Sequence, residues 1–432
     1  MLGLACCTPE QDDAIAPSRQ FVKYYGRNAL DVGVDIKYDP ISGHLIVLGQ
    51  RNAIGSASNS LVLLRIDSAG NRVLENEIGQ GDRLLYAARK IVIDPVNGGF
   101  IIGGTRTNLD ELESYMFTLK VGDDLQPDPG WGNDAGVGFR SYGDTVITVA
   151  GQQRIPNHRL FDLAVHENGL AIVGSSNDVE TNKVNFNPTT DLSDVCIVLL
   201  DANGKAVLSK HYGYSGTDQG QSIIPTGNNT FAVMGVTNRS AFGSDDSQLG
   251  GNNILFNIID SEGQLKQNKI YGSTSGDGNV NVSDAPVTMV QDGLGFAGMA
   301  NDDVSNAIMI RLTSSGELIA FSNLNLIQPS ISTSLIRTFR GDYIITGSVN
   351  TLADEVTSVD RGTDMLVMNV NQNFTVNANR VYNYGGEEND ISNGIVQLPS
   401  SNLVILGTTD FENGNTMITL MKTNATGRLI SN

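Results

Sequence analysis

Apolar and polar positions recur along this chain in a fixed order. The clearest element is a short apolar run closed by glycine. It reads LIVLG to Gly49, FIIGG to Gly104, LAIVG to Gly174, FAVMG to Gly235, YIITG to Gly347 and LVILG to Gly407. A further copy, FAGMA, ends at Ala300, where alanine stands in place of the glycine. Successive anchors lie between 47 and 70 residues apart. A second apolar run follows each anchor, at 61–66, 115–119, 195–200, 254–259, 307–312, 365–370 and 416–421. These runs are nearly continuous, which suits strands covered on both faces. A turn comes next, usually with glycine, as in DSAGN, DANGK, DSEGQ, TSSGE and TNATG. Glycine there supplies the positive φ that a tight hairpin needs. The strand after the turn ends in Tyr-Gly or a variant, at Tyr25, Tyr142, Tyr212, Tyr271 and Tyr384.

With a short alternating strand before each anchor, every copy holds four strands. One such sheet is too small to bury its own faces and needs neighbours stacked beside it. The seven anchors predict an all-β fold, a seven-bladed β-propeller of four-stranded antiparallel blades. Residues 19–26, RQFVKYYG, look like a fourth strand lacking the other three. The expectation is that they pair with the last copy and close the ring, leaving few exposed edges. Residues 19–432 then read as one propeller domain, with 1–18 as a tether before it.

Composition narrows the function classes. The net charge is −19 and the pI about 4.5, and no Lys/Arg patch with interleaved aromatics occurs, which argues against nucleic acid. Cys196 sits alone in an apolar strand and reads as a small buried hydrophobe. Cys6 and Cys7 lie in MLGLACCTPEQDD, which resembles the end of a bacterial lipoprotein signal peptide. Cys7 has Leu4 three residues before it but Cys6 just before it. Cys6 has the small Ala5 just before it but Gly3 where leucine is expected. The resemblance therefore implies a lipid on one of the two and leaves open which. The polar, acidic segment after them is similar to the export tags of Bacteroidota surface lipoproteins.

Candidate chemistry is sparse. His44, His158, His166 and His211 share no metal-ligand spacing, so surface or turn roles are expected. Tandem carboxylates at Asp12-Asp13, Asp123-Asp124, Asp245-Asp246, Asp302-Asp303 and Glu387-Glu388 fall in turns and loops of different copies. A glycosidase would need two carboxylates facing each other across one bond. The only tryptophan, Trp131, lies in an irregular insertion, LQPDPGWGND. A weak calcium candidate is Asp277, Asn279 and Asn281 in SGDGNVNVSD. Val282 and Thr288 stand where an EF-hand loop has glycine and glutamate, so a plain polar loop is the better account. No metal, cofactor or catalytic residue is otherwise expected.

The repeat as a whole, best seen in HYGYSGTDQGQSIIPTGNNTFAVMGVTNRS, resembles that of bacterial extracytoplasmic β-propellers. That resemblance implies a non-enzymatic, lipid-anchored propeller: a protein-binding scaffold or accessory subunit of an outer-membrane complex for uptake, secretion or barrel assembly. It implies an outer-membrane lipoprotein, facing the cell surface or the periplasm, with an outer-membrane β-barrel protein as partner. The alternative is a glycan-active hydrolase or glycan-binding surface protein. The insertions 177–193, 238–251 and 350–363 occupy equivalent places in their copies and are the expected contact surface.

Overall fold

The structure, a computed structural model, describes residues 20–27, 29–79, 83–132, 137–179, 181, 192–213, 216–227, 229–238, 252–272, 286–293, 295–302, 306–326, 330–350, 362–411 and 414–429. All its regular elements are strands. The chain opens with β1 (Phe21–Tyr25), then β2 (Leu30–Asp39), β3 (His44–Asn52), β4 (Ser60–Ile66) and β5 (Arg72–Ile78). A four-stranded sheet follows: β6 (Leu84–Ile93), β7 (Phe100–Asn108), β8 (Ser114–Val121) and β9 (Phe139–Tyr142). A small hairpin comes next, β10 (Ile147–Val149) with β11 (Gln152–Arg154). The next sheet holds β12 (His158–His166), β13 (Gly169–Ser176), β14 (Asp194–Asp201) and β15 (Ala206–Tyr212). Another is β16 (Asp218–Gly227), β17 (Thr230–Thr237), β18 (Asn253–Asp260) and β19 (Leu265–Tyr271). Then come β20 (Thr288–Asp292), β21 (Gly295–Asn301), β22 (Ala307–Thr313) and β23 (Leu318–Asn323). The last separate sheet is β24 (Ser330–Arg337), β25 (Tyr343–Asn350), β26 (Thr363–Val370) and β27 (Val376–Tyr384). The chain finishes with β28 (Asp390–Gln397), β29 (Leu403–Asp410) and β30 (Thr416–Thr423).

This is an all-β propeller, but the expected seven separate four-stranded blades are not what forms. Five four-stranded blades stand as separate sheets: β6–β9, β12–β15, β16–β19, β20–β23 and β24–β27. The remaining long strands merge into one eight-stranded sheet, in the order β28-β29-β30-β2-β3-β4-β5 with β1 on β30. The cause is the short link from β1 to β2. β1 runs antiparallel along β30, from Phe21 opposite Lys422 to Tyr25 opposite Ile418. The chain must then cross the start of β30 to reach the centre. Leu30 pairs in parallel with Thr416 there, and the Thr416 hydroxyl donates to the Asp31 carbonyl at 2.8 Å. Thus first and last strands are held by backbone hydrogen bonds, which removes an open edge at the join.

Strands β2, β6, β12, β16, β20, β24 and β28 contact one another in turn around a central channel, and β28 contacts β2. Hydrophobic core fills the spaces between adjacent sheets. Leu48, Leu63, Ile91, Phe100, Ile102 and Phe117 form one such layer, and Met234, Phe256, Phe296 and Ile310 another. Each fully buried aliphatic or aromatic side chain there contributes roughly 1.5–3 kcal/mol.

Two repeated hydrogen bonds join one repeat to the next. The tyrosine ending a fourth strand donates its hydroxyl to the carbonyl of the turn glycine in the following repeat. Tyr25 reaches Gly70 at 2.7 Å, Tyr142 reaches Gly204 at 2.8 Å, Tyr212 reaches Gly263 at 2.9 Å and Tyr384 reaches Gly427 at 2.8 Å. Tyr271 donates to Gly316 in the same way. Where the turn carries Leu125 or Phe374 in place of glycine, that side chain is itself buried between the sheets. Asn76 and Ser322 then supply the donor. The second bond uses the residue just after the anchor. Gln50, Thr105, Asn301 and Thr408 accept from the backbone amides of Ala88, Leu160, Ser332 and Gly33 at 2.7–3.1 Å.

The anchor glycine has a steric cause. The first strand bulges opposite it, between Gly33 and Asp35, Leu160 and Asp162, or Gly220 and Ser222. The bulge drives a backbone carbonyl toward the anchor, so a methyl group at Gly174 or Gly235 would meet the oxygen of Arg159 or Gln219. The β20–β21 ladder ends at Thr288 opposite Met299, one residue short of Ala300.

Candidate functional site in the central channel

The bulges also position the channel side chains. At each bulge one residue turns into the channel, and the next turns back between two sheets. Arg89 and Phe161 are of the first kind, and Asp35, Lys90 and Asp162 follow bulges. Together with Gln50, Gln221, Thr288, Ser334 and Asn393 they line a cavity of about 450 Å³. That volume suits a small ligand.

Both channel carboxylates are bound up in the fold. Asp35 accepts from the Ile36 amide at 2.9 Å through Oδ1 and from the Ile91 amide at 3.0 Å through Oδ2, and Lys37 Nζ lies 3.1 Å away. Asp162 accepts from the Leu163 amide at 2.9 Å and the Ile223 amide at 3.0 Å, with Lys90 Nζ at 3.4 Å. Each carboxylate therefore ties its own strand to the next sheet. The lysines keep about a third of their side-chain surface open, 30% for Lys37 and 33% for Lys90. Enclosure pushes Lys37 down from its ordinary value despite Asp35. The charge of Asp162 holds Lys90 up, against the same enclosure.

Arg89 is exposed to the channel, its guanidinium 5.5 Å from the centre of the Phe161 ring. Enclosure by the walls and then the charge of Arg159 hold Arg89 below its ordinary value. Arg159 is exposed two positions before Phe161 on β12, and its Nε donates to Asn157 Oδ1 at 3.1 Å. Among the described residues neither arginine pairs with a carboxylate.

A second cavity, of about 560 Å³, opens where β1 meets β27 and β28. Its walls include Glu387, Glu388 and Asp390, and Tyr24 meets Phe411 edge to face at 5.5 Å. Burial pushes Asp390 upward, while Asp390 accepts from the Gly386 amide at 2.9 Å. Asp31 makes the equivalent bond to the Arg27 amide. The aspartate of the repeat thus fixes the turn that follows Tyr-Gly.

Several sequence candidates fall outside the described residues: Cys6, Cys7, the calcium candidate Asp277, Asn279 and Asn281, and most of 177–193, 238–251 and 350–363. Trp131 is a core residue, only 3% exposed, with Lys120 and Arg140 over its ring and Nε1 donating to Thr118. Cys196 is buried, and burial pushes its thiol up to about 12. His158, expected at a surface or turn, is instead buried at the head of β12. Asp123 and Asp124 lie in the turn after β8, where Asp124 accepts from the Gln126 amide. Among the described residues no group of three or more His, Cys, Asp or Glu is placed to hold a metal, and no helix is long and apolar enough to cross a membrane. The channel residues went unread because they lie in first strands, the least regular part of the repeat. Their signal was charge inside a strand, as in VDIK (34–37) and ARK (88–90).

No protein-family model matches the chain, and no curated protein matches it. Solved structures do resemble it. A periplasmic gluconolactonase of Pseudomonas aeruginosa superposes with a TM-score of 0.50 at 10% identity, over 82% of this chain and 85% of that one. A GH93 α-L-arabinofuranosidase of Fusarium graminearum gives 0.48 at 11% identity, over 93% and 94%. The β-propeller domain of the Trilobed protease from Pyrococcus furiosus gives 0.45 at 9% identity, over 93% and 96%. Likeness at such identity reaches the fold alone.

Proposed function

We propose that this chain is a binding propeller, tethered by a lipid on Cys6 or Cys7, that serves as a scaffold or accessory subunit for an outer-membrane β-barrel protein. The supporting observation is the state of the channel carboxylates. A retaining or inverting hydrolase needs two carboxylates free to act as acid, base or nucleophile across one bond. Asp35 and Asp162 instead spend both oxygens on backbone amides of two strands and face a lysine each. They act as rivets between sheets. A rigid frame of this kind supports recognition on its surface loops.

The test uses the native full-length protein in its own envelope. Replacing Cys6 and Cys7 together by serine is expected to move it from the membrane to the soluble fraction. Affinity capture of the unaltered protein is expected to bring down a β-barrel protein in stoichiometric amount. Retention of the double variant on membranes stripped of partners would remove the tether. Glycoside hydrolysis by the purified chain, lost in a folded Asp162→Asn variant, would replace the scaffold by a hydrolase.

A further inference from the structure

The chain enters its first strand from one face of the propeller. β1 begins with Phe21 opposite Lys422, beside the end of β30, and that end of β30 meets the start of β29, with Leu403 opposite Thr423. Gln20 therefore emerges on the face made by the turns between first and second strands. The insertions 177–193, 238–251 and 350–363 depart from the opposite face, because β13, β17 and β25 start at those turns and run to the far end, to Ser176, Thr237 and Asn350. Residues 8–19 separate Cys7 from Gln20, and such a stretch reaches at most about 45 Å when fully extended. Turning the far face to a membrane would use up about 27 Å of that reach, the length of a strand such as β30.

Apolar side chains surround the exit. Ile41 is 92% exposed, Val96 61% and Phe339 69%, each at the tip of a turn between first and second strands. Pro399 is exposed at the equivalent tip before β29. These four turns belong to successive repeats around the ring, β24–β27, β28–β30, β2–β5 and β6–β9, and β1 lies against the second of them. The tips are held in place. Asp39 accepts from the Ile41 amide at 3.0 Å, Asp94 from the Val96 amide at 2.9 Å, and Gln397 Oε1 from the Phe339 amide at 2.9 Å. In the third and fourth repeats the same turns read HENG and TGNNT, which are polar. A single exposed apolar residue is ordinary, and Ile54 on the far face is 64% exposed. An arc of such tips beside the point where the tether joins calls for a cover.

We propose that this face lies on the lipid surface, with Ile41, Val96 and Phe339 entering the interface beside the tether and the insertions turned away from the membrane. The inference rests on the lipid anchor proposed above and adds its orientation. Apolar side chains at a membrane surface reach about 5–10 Å into the boundary between headgroups and acyl chains. Arg340, next to Phe339, and Arg428, in the turn after β30, are exposed on the same face and suit lipid phosphates. Asp39 and Asp94 are buried inside their turns and so present no bare carboxylate there. The insertions then meet a β-barrel partner only through parts that stand clear of the membrane.

Tryptophan quenching tests it on the lipid-modified protein, taken from its own envelope and placed in phosphatidylethanolamine vesicles. Trp131 is the sole tryptophan and is buried, so it gives a constant background. Ile41→Trp, Val96→Trp and Phe339→Trp are each expected to lose emission to lipids brominated near the headgroup end of the acyl chain. Ile54→Trp is expected to keep its emission. Phe339→Trp changes one exposed aromatic for another and serves as the reading if a second tip variant does not fold. Quenching of Ile54→Trp as strong as that of the tips, or no quenching at the tips, would overturn the orientation. Unquenched tips together with loss of the β-barrel protein on capture by a combined Ile41→Ser, Val96→Ser and Phe339→Ser variant would hand the arc to the protein partner instead. Flotation with the vesicles separates this idea from the anchor. Protein that does not float removes anchor and orientation together, whereas protein that floats with unquenched tips removes the orientation alone.

Discussion

At His158 one buried imidazole ties three segments together. Its Nε2 faces the Asp144 carbonyl at 3.0 Å and must be the protonated nitrogen, because a carbonyl only accepts. Its Nδ1 then accepts from the Ser176 hydroxyl at 2.9 Å, and Tyr115 stacks on the ring at 6.0 Å. The neutral ring satisfies both neighbours. Burial lowers the pKa, outweighing the opposing hydrogen bond to the Asp144 carbonyl. The unfolded chain therefore takes up a proton on this ring before the folded one does. The stability it contributes is complete above the unfolded pKa of about 6.5 and is lost as pH falls from there through the lower folded value. His158→Gln is expected to flatten the fall in urea stability between pH 7.5 and 5.5 relative to the unaltered chain. Parallel pH curves for the two proteins would count against the assignment. Nothing in the sequence marked His158 out. It fills the place held by Asp31, Asp218 and Asp390 in other copies, and that equivalence shows only once the bulges align the first strands.

At the scale of the element, the anchor strands were the most legible part of the chain. LVILG and its copies are apolar because both faces meet a neighbouring sheet, and they end in glycine because a bulged carbonyl approaches there. The tyrosine and the turn glycine were also visible as separate repeats. Their partnership was not, since donor and acceptor lie 43 to 62 residues apart in the sequence and in different repeats. The bulge explains why the glycine is kept and what losing it entails. Gly235→Ala forces Cβ against the Gln219 carbonyl and is expected to cost about 1–3 kcal/mol in urea unfolding with unchanged slope. The reverse change, Ala300→Gly, meets no such clash and is expected to cost about 1 kcal/mol or less through added backbone freedom. If both changes cost the same, the carbonyl contact is not what selects glycine.

The whole molecule depends on how its two ends meet. A propeller built as a ring is vulnerable where first and last sheets join, because no continuous chain crosses that seam except through β1 and β2. Here β1 covers the outer edge of β30 over five paired residues, and Tyr25 reaches Gly70 in the neighbouring part of the sheet. Leu30 and Thr416 complete the seam on the inner side. Residues 19–26 were readable as a stray fourth strand. The fusion into eight strands was not, because a single parallel pair between residues 386 positions apart leaves no trace in local pattern. Removal of residues 1–26 takes away β1 and the tyrosine, exposes Ile418 and Leu420 of the core, and frees the edge of β30. The truncated chain is expected to unfold at clearly lower temperature and to associate through its open edge at high concentration. Tyr25→Phe separates the two contributions. It keeps the strand and removes one hydroxyl bond, so about 1 kcal/mol is expected from that change alone. A truncated chain that stays monomeric and melts with the full-length protein would mean that the seam is held by Leu30 and Thr416 without help from β1.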